Sequence, residues 1–186
     1  MNAIELAERI QRKELSSVEV MTAFLDRIEA VNPKVNAIVS LVDRETALSM
    51  AKQADADLRA GKPAGKLHGL PWAIKDTDDA KGLTTTLGSP IFKDHVAKED
   101  ALLTARIRAA GTLIVGKTNV PEFAAGSHTF NKVFGVTRNP YNLALSSGAP
   151  AAVRPSRSQP ACCRWRTATI PAARSAILRP GTTFLR

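Results

Sequence analysis

Through the first sixty positions apolar residues recur at helical spacing; beyond them they fall into short runs separated by glycine and proline. Residues 3–12 predict a short amphipathic helix with Ile4, Leu6 and Ile10 on one face. Ser16 and Glu19 stand at the spacing of a capping box, in which each side chain satisfies a backbone N–H of the other residue. A second helix is expected over 17–30, with Val20, Phe24, Ile28 and Val31 in register and Asn32-Pro33 as its stop. Residues 37–42 predict a strand, and 45–60 a helix closed by Gly61 and Pro63. The apolar run 70–74 reads as a strand that delivers Lys75. A helix over 100–110, capped by Asp100 and ended by Gly111, leads into a buried strand at 113–115. Strands that alternate with helices predict an α/β fold: a mostly parallel or mixed sheet with helices on its faces. No internal repeat is visible.

Charge divides the chain. It carries 26 Lys+Arg against 17 Asp+Glu, a formal +9. The last acid is Glu122, and residues 147–186 hold seven arginines and no acid. Taking those seven charges from the total leaves +2 for residues 1–146. The basic character therefore belongs to the tail, whose five prolines and lack of apolar period argue against a packed helix. Such an arm suits nucleic acid or an acidic membrane surface. Against nucleic acid, only Trp165 and Phe184 are available there to stack on bases. Cys162 and Cys163 are adjacent in the tail, and His68, His95 and His128 are scattered, so neither a disulfide framework nor a metal site is indicated. No apolar run is long enough for a membrane span, and MNAIELAERIQRK lacks the apolar core of a secretory signal, which makes the cytoplasm the expected compartment.

The chemistry is concentrated in 69–142. GLPWAIKD (69–76), TTTLGSP (84–90), RAAGTLIVGKTNVPEFAAGS (108–127) and NKVFGVTRNPYN (131–142) follow one another in order. Together they resemble the first half of the amidase signature family, serine hydrolases that cleave carboxamides with a Ser–Ser–Lys triad. The resemblance places Lys75 at the catalytic lysine and implies an incomplete amidase-type mixed sheet flanked by helices, without metal or organic cofactor. It implies a relay in which the lysine draws a proton through a bridging serine from the nucleophilic serine, and a glycine-rich turn that binds the oxyanion. The expected partner is a small-molecule amide, bound by a hydrolase or by the amide-handling component of a transamidation complex. Taken without this context, Lys75 reads as a solvated lysine beside Asp76, Asp78 and Asp79, since burying an unpaired ammonium is costly.

Both serine segments, of the types GGSSGG and DTGGS, are missing from the chain as written. The codons permitted by residues 162–183 include a set that, begun one base earlier, reads MLPVADGDDTGGSLRNPAAWNN. Gly148-Ala149-Pro150-Ala151-Ala152-Val153 re-reads as GGSSGG if one G is absent from two adjacent glycine codons. The recovered serine codons overlap Ala149/Pro150 and Ala173/Arg174. The expected organisation is the N-terminal part of an amidase domain over 1–147 and a disordered, out-of-frame basic tail over 148–186, and the polypeptide as written is expected to be catalytically inactive. The alternative is a genuine Arg/Pro/Ala arm on a non-enzymatic protein that binds nucleic acid. Deleting the arm would then abolish a salt-dependent interaction.

Two other strings carry weaker chemistry. Gly111 through Thr118 match the phosphate-loop pattern GxxxxGKT, but the intervening residues 112–115 are apolar and β-prone, where a phosphate cradle needs an open loop. GKTN is expected instead to be a structural turn before a helix at EFA. Ser127-His128 has no acid in view and reads as a polar loop.

Overall fold

In the computed structural model, residues 1–62 and 64–147 are described. The expected tail, with both cysteines and the re-read serine positions, lies outside the described residues. Four helices come in order as α1 (Ala3–Gln11), α2 (Ser17–Val35), α3 (Arg44–Arg59) and α4 (Leu102–Ala109). The strands are β1 (Ile38–Leu41), β2 (Pro71–Lys75), β3 (Leu113–Thr118), β4 (Phe130–Asn131), β5 (Gly135–Val136), β6 (Arg138–Asn139) and β7 (Asn142–Ser146).

The main sheet is mixed, in the order β1-β3-β2. β3 runs antiparallel to β1 and parallel to β2. Successive side chains of β3 serve opposite faces, as a pleated strand requires. Val115 joins Met21 and Leu25 of α2 and Ala47 and Ala51 of α3 in one cluster. Ile114 joins Ile74 and Ala80 in another, with Trp72, Leu83 and Ile107 of α4 packed around them. The sheet is thus covered by α2 and α3 on one side and by α4 with its loop on the other. α1 closes one end, where Ala7 and Ile10 meet Val20 and Leu70. β1 lies so close to β3 that a Cβ at Gly116 would fall 2.3 Å from the Ser40 carbonyl oxygen, so this register admits only glycine there.

The capping box forms as expected: the Ser16 hydroxyl accepts from Glu19 N–H at 3.1 Å, and Ser16 N–H donates to the Glu19 carboxylate at 2.8 Å. Three expectations are corrected. Asn32-Pro33 does not stop α2, which runs through Pro33 to Val35 and ends on Asn36 in the left-handed region (φ 54°). Proline in a last turn forfeits one intrahelical bond. The Asn32 side chain offsets that loss by accepting from Ala37 and Ile38 N–H, both at 2.9 Å, and donating to the Ile38 carbonyl. Asp100 does not cap α4, whose N-cap is Ala101 without a side-chain bond. Its carboxylate instead accepts from Lys81 N–H at 2.7 Å and Arg108 Nε at 2.8 Å, tying the preceding loop to the helix's last turn. GKTN is not a turn, because β3 continues through Thr118, and EFA is a single 3-10 turn (Glu122–Ala124) with Phe123 at φ 51°.

Candidate active site

Strand β2 carries Lys75 to its C-terminal end, where the ladder sets Ile74 beside Lys117 and Lys75 beside Thr118. The ends of parallel strands are where open α/β sheets usually expose reactive groups. Asp76 N–H donates to the Thr118 carbonyl at 3.1 Å, and Asp78 N–H returns to the Lys75 carbonyl at 3.0 Å, closing a tight turn directly after the lysine. The Lys75 side chain is half-buried, and its ammonium has no hydrogen bond or ion pair among the described residues.

The charged groups behind it, on Asp76 and Lys117, are engaged. Asp76 is fully buried, and its carboxylate accepts from Thr86 N–H at 3.1 and 3.2 Å and from the Thr86 hydroxyl. The Asp76 carbonyl accepts from Leu87 N–H at 3.1 Å, so the TTTLGSP segment is stitched to the turn. Lys117, also fully buried, donates through Nζ to the Asp78 carbonyl and to Thr85 Oγ1 at 3.0 Å. Burial pushes the Asp76 carboxyl above its ordinary value, opposed by the Thr86 bonds and by the charge of Lys117. Burial likewise pushes Lys117 below its ordinary value, opposed by Asp76, Asp79 and Asp78. The two charges do not touch: each is bonded to a neutral partner and feels the other through space.

This buried core of the turn was not foreseen from the sequence. Of the two lysines, the one in GKTN was expected in a structural turn. The signal that could have found it was its place within a β-prone run, 113–118, where a strand continuing through Gly116 would bury it. The same extension removes the phosphate-loop reading, since Lys117 and Thr118 are strand residues and no open loop follows β3's start. Thr118 Oγ1 is buried without a hydrogen-bond partner among the described residues.

The neighbouring loops are fastened to each other as well. Ser89 Oγ donates to the Glu122 carboxylate at 2.8 Å, and Phe123 N–H to the Leu87 carbonyl at 2.7 Å. Asn119 Nδ2 donates to Thr137 Oγ1 at 2.9 Å, and Asn131 Nδ2 to Asn119 Oδ1 at 2.7 Å. His128 does not pair with Ser127: its Nδ1 lies 2.9 Å from Ser146 Oγ on the exposed side. Among the described residues no group of three or more His, Cys, Asp or Glu side chains could hold a metal ion. No described helix is long and apolar enough to cross a membrane.

The chain is similar to known proteins over most of its length. The chain is 47% identical over 154 residues to the A component of the glutamyl-tRNA(Gln) amidotransferase of Acidothermus cellulolyticus, covering 81% of the chain and 30% of that protein. The corresponding protein of Carboxydothermus hydrogenoformans is 44% identical over 156 residues, with 82% and 32% covered. Among solved structures, a bacterial aryl acylamidase of the amidase signature enzymes superposes with TM-score 0.73 at 31% identity, covering 80% of this chain and 31% of that one. A fatty acid amide hydrolase gives TM-score 0.75 at 31% identity, with 80% and 26% covered. The chain therefore spans about 30% of the length of the curated relatives it matches. With the amidase family model matching residues 19–151, and the lysine-bearing strand, its turn and its loops laid out as above, the chain belongs to the amidase signature family.

Proposed function

We propose that residues 1–147 form the lysine-bearing part of an amidase domain and that Lys75 is the base of its Ser–Ser–Lys relay. The observation that carries this reading is the contrast at the end of β2. The Lys75 ammonium is uncommitted among the described residues, while the polar groups of the turn behind it, on Asp76 and Lys117, are bonded inward. A base must be free to exchange its proton and must emerge from a fixed backbone. In the relay the neutral amine of Lys75 takes a proton from the bridging serine, which takes one from the nucleophilic serine as it attacks the amide carbon. The C–N bond then breaks as the proton returns along the same path to the departing amine. The substrate class is a carboxamide, and no metal or organic cofactor takes part.

Neither serine segment is in frame within the 186 residues. This polypeptide by itself therefore hydrolyses no amide through the triad, and residues 148–186 are the product of a shifted reading frame. The coding region from codon 140 onward is the place to test this. An added G at codons 148–149 should open GGSSGG and then DTGGS, and the product of that frame should hydrolyse a simple carboxamide. Lys75→Met in that product should lower kcat by about 10³-fold, the scale of a lost general base. A downstream frame without DTGGS, or full activity in Lys75→Met, would falsify the reading.

A further inference from the structure

Thr118 stands in the middle of the main sheet, between the reactive lysine and an apolar neighbour. It is paired with Lys75 across β2 and with Ile38 across β1. Side chains paired directly across a ladder lie on the same face, so the Thr118 hydroxyl has Ile38 on one side and Lys75 on the other. Its backbone is pinned from both sides. The Thr118 carbonyl accepts from Asp76 N–H at 3.1 Å, and the next residue, Asn119, donates through N–H to the Ala37 carbonyl at 2.9 Å. Thr118 is only 7% exposed, yet its Oγ1 has no hydrogen-bond partner among the described residues. A buried hydroxyl left unpaired is costly, and each one in a folded protein calls for a reason. Ile38 has no polar side-chain atom to offer. The Lys75 ammonium, half-buried and also without a bond among the described residues, can supply one. Ser17 and Thr104 also carry buried hydroxyls without a partner among the described residues, but both lie in helices, and only Thr118 is laddered to a titratable side chain.

We infer that Thr118 is a positioning residue for Lys75: its hydroxyl oxygen receives one N–H of the lysine and so aims the rest of the amine away from the sheet. Neighbouring strands are about 4.8 Å apart, a gap that a chain of four methylenes closes by rotation about its own bonds. A neutral amine has two N–H groups and one lone pair. With one N–H held by Thr118, the lone pair is confined to directions from which a bridging serine can be reached, whereas a base on a freely turning chain points mostly elsewhere. The contact makes and breaks as the lysine rotates, so it orients the amine without carrying the stability of the fold. The positioning role rests on the proposed reading of Lys75 as the base; the contact between the two side chains does not.

The contact is tested by nuclear magnetic resonance on the full 186-residue chain with carbon-13 lysine. The Lys75 signals are those missing from Lys75→Met. A lysine that turns freely in water gives one averaged signal for its two ε protons, and one held against a sheet gives two. Lys75 is expected to give two, Thr118→Val to merge them, and Thr118→Ser, which keeps the hydroxyl, to retain the pair. Thr118→Val preserves the branched shape, and its far-UV circular dichroism should match that of the parent. An averaged Lys75 signal in the parent, which needs no Thr118 variant to observe, or an unchanged pair in Thr118→Val, would overturn the inference. Hydrolysis is read separately, in the product of the restored frame. There Thr118→Val should lower kcat about tenfold at unchanged KM, and Thr118→Ser should return it. Full activity in Thr118→Val would remove the positioning role, while full activity in Lys75→Met would remove the relay and leave the contact standing.

Discussion

Two lysines one strand apart illustrate how little residue type says about role. The Lys75 side chain is half-buried and makes no hydrogen bond or ion pair among the described residues, so its replacement should barely affect the fold. Lys75→Met is expected to change unfolding free energy by less than about 0.5 kcal/mol, the usual range for a substitution that breaks no contact. Lys117 is the opposite case. Lys117→Met strips the Asp78 carbonyl and the Thr85 hydroxyl of their donor and leaves the buried Asp76 without a nearby cation. The expected cost is about 3 kcal/mol, which urea titration of the two variants side by side would resolve. Asp76 makes a sharper prediction in pH. Its folded carboxyl holds a proton more tightly than the unfolded one, whose value is 3.8. The stability it confers is therefore full below 3.8 and is lost as pH rises through the raised folded value. Asp76→Asn has no such window. The urea midpoint of the parent minus that of Asp76→Asn should increase as pH is lowered from neutral towards about 4, and carboxylates common to both chains cancel in the difference. A difference that stays flat would mean the carboxyl titrates as an exposed acid.

At the scale of the element, local signals decided what the sequence could reveal. The Ser16–Glu19 box starts α2 where the pattern predicted, and Ser16→Ala should cost about 1 kcal/mol of stability in a thermal or urea measurement. The beginning of α2 was legible because its cap is a contact between residues three apart, whereas that of α4 was not, since Asp100 is taken by Lys81 and Arg108. The ends of α3 and α4 at Gly61 and Gly111 were legible too, but that of α2 was not, because a distant partner takes part in it. Asn36 ends α2 while its side chain donates to the Phe134 carbonyl at 2.7 Å, a residue far along the chain. Asp55 lies on the α3 face whose Ala47, Ala51 and Ala54 are buried, and could pass for a surface acid. Its carboxylate in fact accepts Ser17 N–H at 2.6 Å and Val18 N–H at 3.2 Å, capping α2 from another helix. The strand that presents Lys75 was legible from its apolar run. The Asp76–Thr86 and Lys117–Thr85 contacts beneath it were not, since they join residues ten and thirty-two positions apart with no shared period.

For the whole molecule, the apolar side chains of β4 to β7 should be visible to a hydrophobic dye. The native 186-residue chain is expected to enhance anilinonaphthalene sulfonate fluorescence, and Phe130→Ser with Leu145→Ser to reduce it without altering the far-UV circular dichroism. Equal enhancement in both would place the dye elsewhere. The sheet itself has a further consequence, which concerns the order in which it can be made. β3 is the last of its three strands along the chain and yet lies between the other two. β1 and β2 never pair with each other, so while synthesis proceeds through the first hundred residues neither has a partner in this sheet. The helices α1, α2 and α3, whose contacts are local, can settle early against one another. When Leu113–Thr118 emerges it closes both ladders at once, buries Lys117 and fixes the turn after Lys75 in one event. A nascent chain halted just before β3 would hold four helices and two orphan strands, and it is in that interval that the protein is most exposed to chaperones and to aggregation.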